Sequence, residues 1–541
     1  MKWVKRVFGC LFGLFLLVSL TMAAVGQQRS PHAKTSWWWS PRIMLVGVGN
    51  SMTHGTRDAT NNEFNTKNAY LQLVYKKLKE TGLRFKFVQP YLNENEHRIN
   101  PLAVPTNLAV DGEDIFSVEG YEYGPRVDAG DGNYLDDKYL CDRLQPYLFA
   151  DLHDKVLYPI NLLARKPVSQ FDALVWRLNN HRGPAWVIWW VGTNDAALAS
   201  LGLGGENPMY LPIPFAQIKD KLKPGVRLLL AYGYKQGMLS FSPYTGEAIG
   251  RNLTNLEDFV AQYKHLLDRM EEEISNDQVE LFLLTFPYYT EPGYFFGEED
   301  LKYYFGDDFS LSLNGGRISL LTFISLYALV KSGEGDKLNS ILSDNGLVMS
   351  EGERLQIRNR INDFNGYLKS LSLPSNVHLL DIGSKLNSLF DSGLWVGAAH
   401  LTREWSRGGA FSLDGVHPSH TVHAHIANLI LEELNNSVLK EEGKTAPYWN
   451  LSSILANDPY YDNDGDGWVE GPDYKASGRT KILYLFKDAD GDTDPSTEAV
   501  IDTMGADEVW ELISDALLEE VITIPLLRLK AEEMGLIPVK E

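Results

Sequence analysis

An α/β fold with a mostly parallel sheet and helices over both faces is the architecture this sequence predicts. Three observations lead to it. Short apolar runs of strand length recur at 43–48, 187–191, 226–232, 279–286 and 377–382, and a shorter alternating one lies at 84–88. Stretches with a helical apolar period separate these runs. The first run ends in Gly49-Asn50-Ser51, small and polar residues where a strand is expected to turn into a helix. With 44% apolar and 11% aromatic residues over 541 positions, the chain can fill a large core, which excludes a mainly disordered protein.

The chain opens with Lys2, Lys5 and Arg6, an apolar run at 7–20, and small residues at Ala23, Ala24 and Gly26. This is the pattern of an export signal spanning 1–26. A retained anchor is the alternative, although the apolar run is short for a membrane span. Loss of the segment takes away three cations and no acid, so the formal charge of −21 becomes −24. Such an acidic surface argues against nucleic acid and anionic membrane as partners and is compatible with cations. Only Cys141 remains outside the segment, so no intramolecular disulfide is expected. Export without disulfides points to a secreted or periplasmic bacterial protein.

Taken in order, 29–40 is a polar lead-in ending in Trp37, Trp38 and Trp39, expected to pack down before the first strand at 43–48. Residues 68–80 place Tyr70, Leu71, Val74 and Leu78 on one helical face. After the strand at 84–88 and those at 187–191 and 226–232, the clearest helix is 256–274, opened by a capping box from Thr254 to Glu257. Three connections exceed what such a sheet needs: 113–184, 196–223 and 287–375. The last leaves a strand end and is rich in aromatics, which suits a lid, an apolar substrate wall or a packed insertion. From about Lys440 the composition turns acidic and Gly/Asp-rich, with a helix expected at 506–520. The expected organisation is a large domain at 27–439 with insertions at about 113–184 and 287–375, followed by an acidic region at 440–541.

Nucleophilic serine chemistry needs an exposed hydroxyl, a base, a group that orients the base, and donors for an oxyanion. Ser51 stands at a strand end. His417 lies in Asp414-Gly415-Val416-His417, a spacing that lets a carboxylate reach the far ring nitrogen and fix the tautomer. Asn194 follows the run at 187–191 and carries an amide N–H. Gly112 ends Asn107-Leu108-Ala109-Val110-Asp111-Gly112 and offers a backbone N–H that can approach closely. Gly-x-Ser-x-Gly, a P-loop, a full dinucleotide glycine fingerprint and Cys-x-x-Cys are all absent. His417, His420, His423 and His425 suggest a zinc site, but the last three fall on an expected helix at 419–434. They read as bystanders.

The blocks Gly49-Asn50-Ser51, Asn107 to Gly112, Gly192-Thr193-Asn194-Asp195 and Asp414 to His417 resemble the four motifs of the GDSL/SGNH hydrolase superfamily. The resemblance spans roughly 42–436. It implies a flavodoxin-like three-layer α/β/α sandwich and ester hydrolysis through an acyl-enzyme without a catalytic cofactor. It assigns Ser51 as nucleophile, His417 as base and Asp414 as its orienting group, with Ser51, Gly112 and Asn194 forming the oxyanion hole. Asn50 departs from the aspartate of the name-giving motif, and the long insertions leave the substrate open. An acyl ester or lipid and an acetylated carbohydrate both fit, and a catalytically inactive surface binding module is the reading from another class.

In the acidic region, Asp462, Asp464, Asp466, Trp468, Glu470 and Asp473 occupy positions 1, 3, 5, 7, 9 and 12 of a loop with glycine at position 6. The loop resembles an EF-hand or dockerin-type calcium loop, and a structural Ca2+ is expected there, against the alternative of a solvated acidic turn. Residues 488–494 form a second, incomplete version.

Overall fold

β1 (Ile43–Gly49) is a glycine- and aliphatic-rich strand buried at all seven positions. The computed structural model describes residues 42–122, 134–135, 139–143, 151–202, 208–306, 309, 312–343, 346–474, 479–489 and 499–539. The expected export segment, the tryptophan lead-in and most of the second acidic loop lie outside these residues. The other strands of the central sheet are β2 (Phe85–Lys86), β3 (Ala185–Trp190), β4 (Val279–Leu284) and β5 (Val377–Leu380). Their order is β5-β4-β3-β1-β2, and every pair is parallel.

The order reverses between β1 and β3, so a crevice opens outside their carboxyl ends, where open α/β sheets bind ligands. β1 and β3 run in register from Met44 opposite Ala185 to Gly49 opposite Trp190. The residues that follow these two strands are therefore brought to the same crevice. β2 is short, and 106–110 takes its place along the rest of β1. Gly47 N donates to Thr106 O (3.0 Å), Leu108 N to Gly47 O (2.8 Å) and Val110 N to Gly49 O (3.2 Å). That pairing carries Gly112 to the same end of the sheet.

The principal helices are α1 (Tyr70–Glu80), α2 (Gln170–Asn179), α3 (Asn194–Leu201), α4 (Pro224–Lys235), α5 (Leu256–Glu273), α6 (Leu320–Lys331), α7 (Glu351–Ser370), α8 (His420–Asn436) and α9 (Ala506–Val521). Successive strand residues point to opposite faces. A side chain at Gly47 would run into Leu71 of α1, whereas Met44 Sδ lies 3.3 Å from the Arg177 guanidinium of α2. Helices thus cover both faces of β1. Among the described residues no helix is long and apolar enough to cross a membrane.

Two local expectations are corrected. Residues 226–232 are helical, within α4, and not a strand. Pro224 supplies the helix start, and Val226, Leu229, Leu230 and Gly233 fall on one buried face at helical spacing, while Leu228 and Tyr234 face outward. α5 is capped by Asn255, whose side chain accepts from Asp258 N at 2.9 Å. Thr254 does not cap it, because its hydroxyl donates to Asp195 Oδ1 at 2.7 Å.

The long connection at 287–375 divides in two. α7 is a cover helix, packed on α5 through Phe364 and Phe259 with ring centroids 3.8 Å apart. The remainder is a packed insertion. Tyr294, Phe295 and Phe296 are buried, and Phe296 stacks on Phe323 of α6 at 4.2 Å. Described residues beyond 440 share the same continuous apolar core, including Tyr460, Phe486, Val509 and Val521. Polar ties reinforce this packing: Lys223 N donates to Ser514 Oγ (3.0 Å), Tyr327 OH to Asp502 (2.8 Å) and Trp510 Nε1 to Ser332 Oγ (2.9 Å). The packing therefore runs across the boundary expected near Leu439.

Gly192, just past β3, shows why a glycine begins its motif. Its φ is +112°, and a Cβ there would lie 2.9 Å from both Phe259 and Phe286. Gly192→Ala is expected to lower stability by about 2–4 kcal/mol, from backbone strain plus overpacking. Denaturant unfolding measures this, and a loss below about 0.5 kcal/mol would mean that both rings yield freely.

Candidate active site

At the β1–β3 crevice lies a cleft of about 630 Å3 whose walls include Ser51, Asp111, Gly112, Asn194, Tyr289 and His417. Ser51 opens the one-turn helix Ser51–His54 directly after β1. Asn50 caps that turn, its side-chain oxygen accepting from Met52 N at 3.1 Å. Capping needs only a short side chain with an acceptor, which asparagine supplies.

Three residues of the cleft wall carry candidate donors. Among the described residues, neither the Ser51 nor the Gly112 backbone N–H is engaged in a hydrogen bond. Gly112 lines the cleft with a φ of +82°, a conformation that glycine adopts without strain. Asn194, the first residue of α3, donates one amide hydrogen to Glu113 O at 3.0 Å, which fixes the carboxamide and leaves its second hydrogen. The Glu113 side chain is itself paired with His153. Asp195 holds the assembly together: Oδ2 accepts from Ile115 N (2.9 Å) and Oδ1 from Thr254 Oγ1.

His417 Nδ1 lies 2.7 Å from Asp414 Oδ2. Asp414 also accepts from Val416 N (2.9 Å), His417 N (2.8 Å) and Ala59 N (3.0 Å). Burial pushes its carboxyl up, but the His417 charge and these hydrogen bonds prevail and hold it at about 2. Burial likewise pushes His417 down. The Asp414 charge and hydrogen bond and the Asp111 charge outweigh it, so His417 sits above its ordinary 6.5. Ser51 and His417 both line the cleft, with no hydrogen bond between them. Ser51, Gly112, Asn194, Asp414 and His417 are thus all brought to one site.

Sequence reasoning missed the residues that hold these groups in place. Arg57 is fully buried and donates from Nε to Pro418 O (3.0 Å) and from its terminal nitrogens to Asn65 O (2.6 Å) and Asn68 O (3.0 Å). It ties the loop after His417 to the loop after Ser51. Asp58 accepts from Leu413 N (2.9 Å) at one oxygen and from Tyr460 OH (2.8 Å) and Tyr474 OH (2.9 Å) at the other. Burial, then the nearby Asp414 charge, pushes Asp58 up to about 7. Asp111 is a further carboxylate in the cleft, with Oδ1 3.4 Å from His54 Nδ1 and Oδ2 accepting from Thr56 Oγ1 at 2.6 Å. Its place in the block at 107–112 was the available signal.

The remaining histidines do not gather around His417. His423 Nδ1 accepts the Tyr70 N–H at 3.1 Å, and burial pushes both His420 and His423 well below their ordinary value. In the acidic loop, ligand oxygens of Asp462, Asp464 and Asp466 lie within 4.8 Å of one another, the one such group among the described residues. Glu470 and Asp473 are exposed and lie outside this group. Asp462 accepts from Gly465 N (2.6 Å) and Gly467 N (3.0 Å), and Trp468 contributes its N–H to Asp466 Oδ1 (2.7 Å). Burial first, and then the Asp464 charge, pushes Asp466 up to about 6, and its Oδ2 is buried without a partner. An orphaned carboxylate oxygen among like charges suits a cation.

No protein-family model matches the chain, and no curated protein matches it.

Proposed function

We propose that this protein is an exported serine ester hydrolase of the GDSL/SGNH type. One observation carries the reading: four separate segments of the chain deliver a strand-end serine, two unpaired backbone N–H groups, a fixed carboxamide and a His–Asp pair to one cleft at the switch point of the sheet. The strand order, counted from the first strand as 2-1-3-4-5, is the flavodoxin-like one.

His417 Nε2 takes the proton from Ser51 Oγ as that oxygen attacks the ester carbon. Asp414 keeps Nδ1 protonated and stabilises the imidazolium that forms. The N–H groups of Ser51, Gly112 and Asn194 receive the developing oxyanion. His417 then passes its proton to the leaving alcohol oxygen. In the second half, His417 deprotonates water, which attacks the acyl-enzyme carbonyl and frees Ser51.

Incubation with a fluorophosphonate and mapping of the adduct by mass spectrometry tests the reading. Label on Ser51, with parallel loss of ester hydrolysis, is the expected result. Absence of labelling, with no hydrolysis of any short ester, would overturn it and favour a binding module on an inactive hydrolase fold.

We further infer that Asp462, Asp464 and Asp466 hold a structural Ca2+. EDTA is expected to lower the thermal midpoint by a few degrees and added Ca2+ to restore it. An unchanged midpoint would leave an acidic turn.

A further inference from the structure

Beside His417 lies a second, smaller pocket of about 130 Å3 that shares Ala59, Leu201, Val416 and His417 with the main cleft. Its far walls come from the two parts of the chain that a minimal sheet would not need. Leu320, Leu321 and Ile324 belong to α6 in the insertion, and Ile482 and Leu483 to the region beyond 440. Leu320, Ile324, Ile482 and Leu483 are all buried, so packing fixes the wall. We propose that this pocket receives an uncharged apolar arm of the ester and sets the chain length the enzyme prefers. The proposal rests on the ester-hydrolase reading and names the substrate class for that site.

The lining excludes a sugar. Its charged carboxylate, Asp414, already accepts from His417, Val416 and Ala59, and the Tyr294 hydroxyl donates to Leu201 O at 3.2 Å. A carbohydrate hydroxyl placed here would lose water and gain little in return, which is unfavourable. A hydrocarbon arm makes no such demand. At ~30 Å3 for each water- or methylene-sized group, the pocket accommodates an arm of about four to six carbons, part of it in the mouth. Each methylene buried raises kcat/KM by about fourfold until the pocket is full, after which longer arms gain nothing or clash.

The arm belongs either to the acyl group or to the alcohol, and two substrate series separate these sources. Nitrophenyl esters from acetyl through butanoyl, hexanoyl and octanoyl to dodecanoyl vary the acyl side. Alkyl acetates from ethyl to decyl vary the alcohol side. The expected result for the full-length protein is a kcat/KM maximum at butanoyl to hexanoyl, or butyl to hexyl, in one series and a flat profile in the other. Leu321→Phe narrows the pocket from a half-buried position and is expected to move that maximum down by about two carbons, while Ile324→Val widens it and moves the maximum up by about one. The wild-type profile needs no variant, so the test survives if either substitution fails to fold.

Ser51-dependent hydrolysis that is flat or falls with chain length in both series, or a maximum that neither variant moves, would overturn the pocket assignment and leave the ester-hydrolase reading intact. Absence of any Ser51-dependent hydrolysis or fluorophosphonate labelling would overturn both.

Discussion

Exchange of Ser51 for alanine is expected to lower kcat for a neutral short-chain ester by roughly 10^5- to 10^6-fold, with little change in KM. The magnitude follows from the proposed role: without the Oγ no acyl-enzyme could form, and His417 could act only on water. The N–H groups of Ala at 51, Gly112 and Asn194 remain in place, because the Ser51 backbone sits in a turn held by Asn50 and the N–H belongs to the main chain. Residual catalysis of about 10^3-fold over water is therefore expected from the oxyanion donors alone. Steady-state kinetics beside a folded control measures both quantities. A loss below about 100-fold would remove Ser51 as the nucleophile.

Asp414→Asn is expected to lower kcat by about 10^4-fold, because an amide fails to stabilise the imidazolium and favours the wrong tautomer. The pH profile gives an independent readout. As the proposed base, His417 would work only when neutral, so kcat/KM in the wild type is expected to rise with pH through its folded pKa, which lies above 6.5. With the Asp414 charge gone, burial is left as the dominant influence, and the acid limb of the residual activity is expected to move below 6.5. A limb that stays in place would mean that another group controls it.

The same pair sets a stability signature. Asp414 falls from an ordinary 3.8 to about 2 on folding, which stabilises the protein above the ordinary value and is lost as pH drops toward 2. That difference corresponds to about 2 kcal/mol, which the asparagine variant would not lose on acidification. His417, raised on folding, contributes in the opposite sense: its stabilisation is complete below 6.5 and disappears as pH rises through the folded value.

Local pattern made much of this legible. The runs at 43–48, 187–191, 279–286 and 377–382 each hold most of a central strand, because branched and aromatic residues of strand length suit a sheet buried on both faces. The run at 226–232 misled because an apolar stretch of seven residues looks alike as a strand or as the buried side of a helix, and Pro224 was the feature that separated them. The residues of the proposed site stood out through chemistry and order: hydroxyl, glycine, carboxamide, and carboxylate three residues before imidazole. Arg57 and Asp58 were not, since nothing around them in sequence announces a partner hundreds of positions away. Asp58 bonds Leu413 across 355 residues and Tyr460 across 402.

By itself the sequence determined much of what short-range physics decides: most of the central strands and covering helices, the glycine turn after β3, and the residue types from which the proposed nucleophile, base and oxyanion donors are drawn. Tertiary structure alone decided the rest. It set the strand order that opens the crevice beside Ser51 and the pairing of 106–110 with β1 that brings Gly112 there. It also drew α6 and the region beyond 440 into the wall beside His417. The reason is that these outcomes depend on burial and on charges meeting across long separations. A carboxylate such as Asp58, Asp111 or Asp414 acquires its hydrogen bonds and its shifted pKa only after the chain has closed around it.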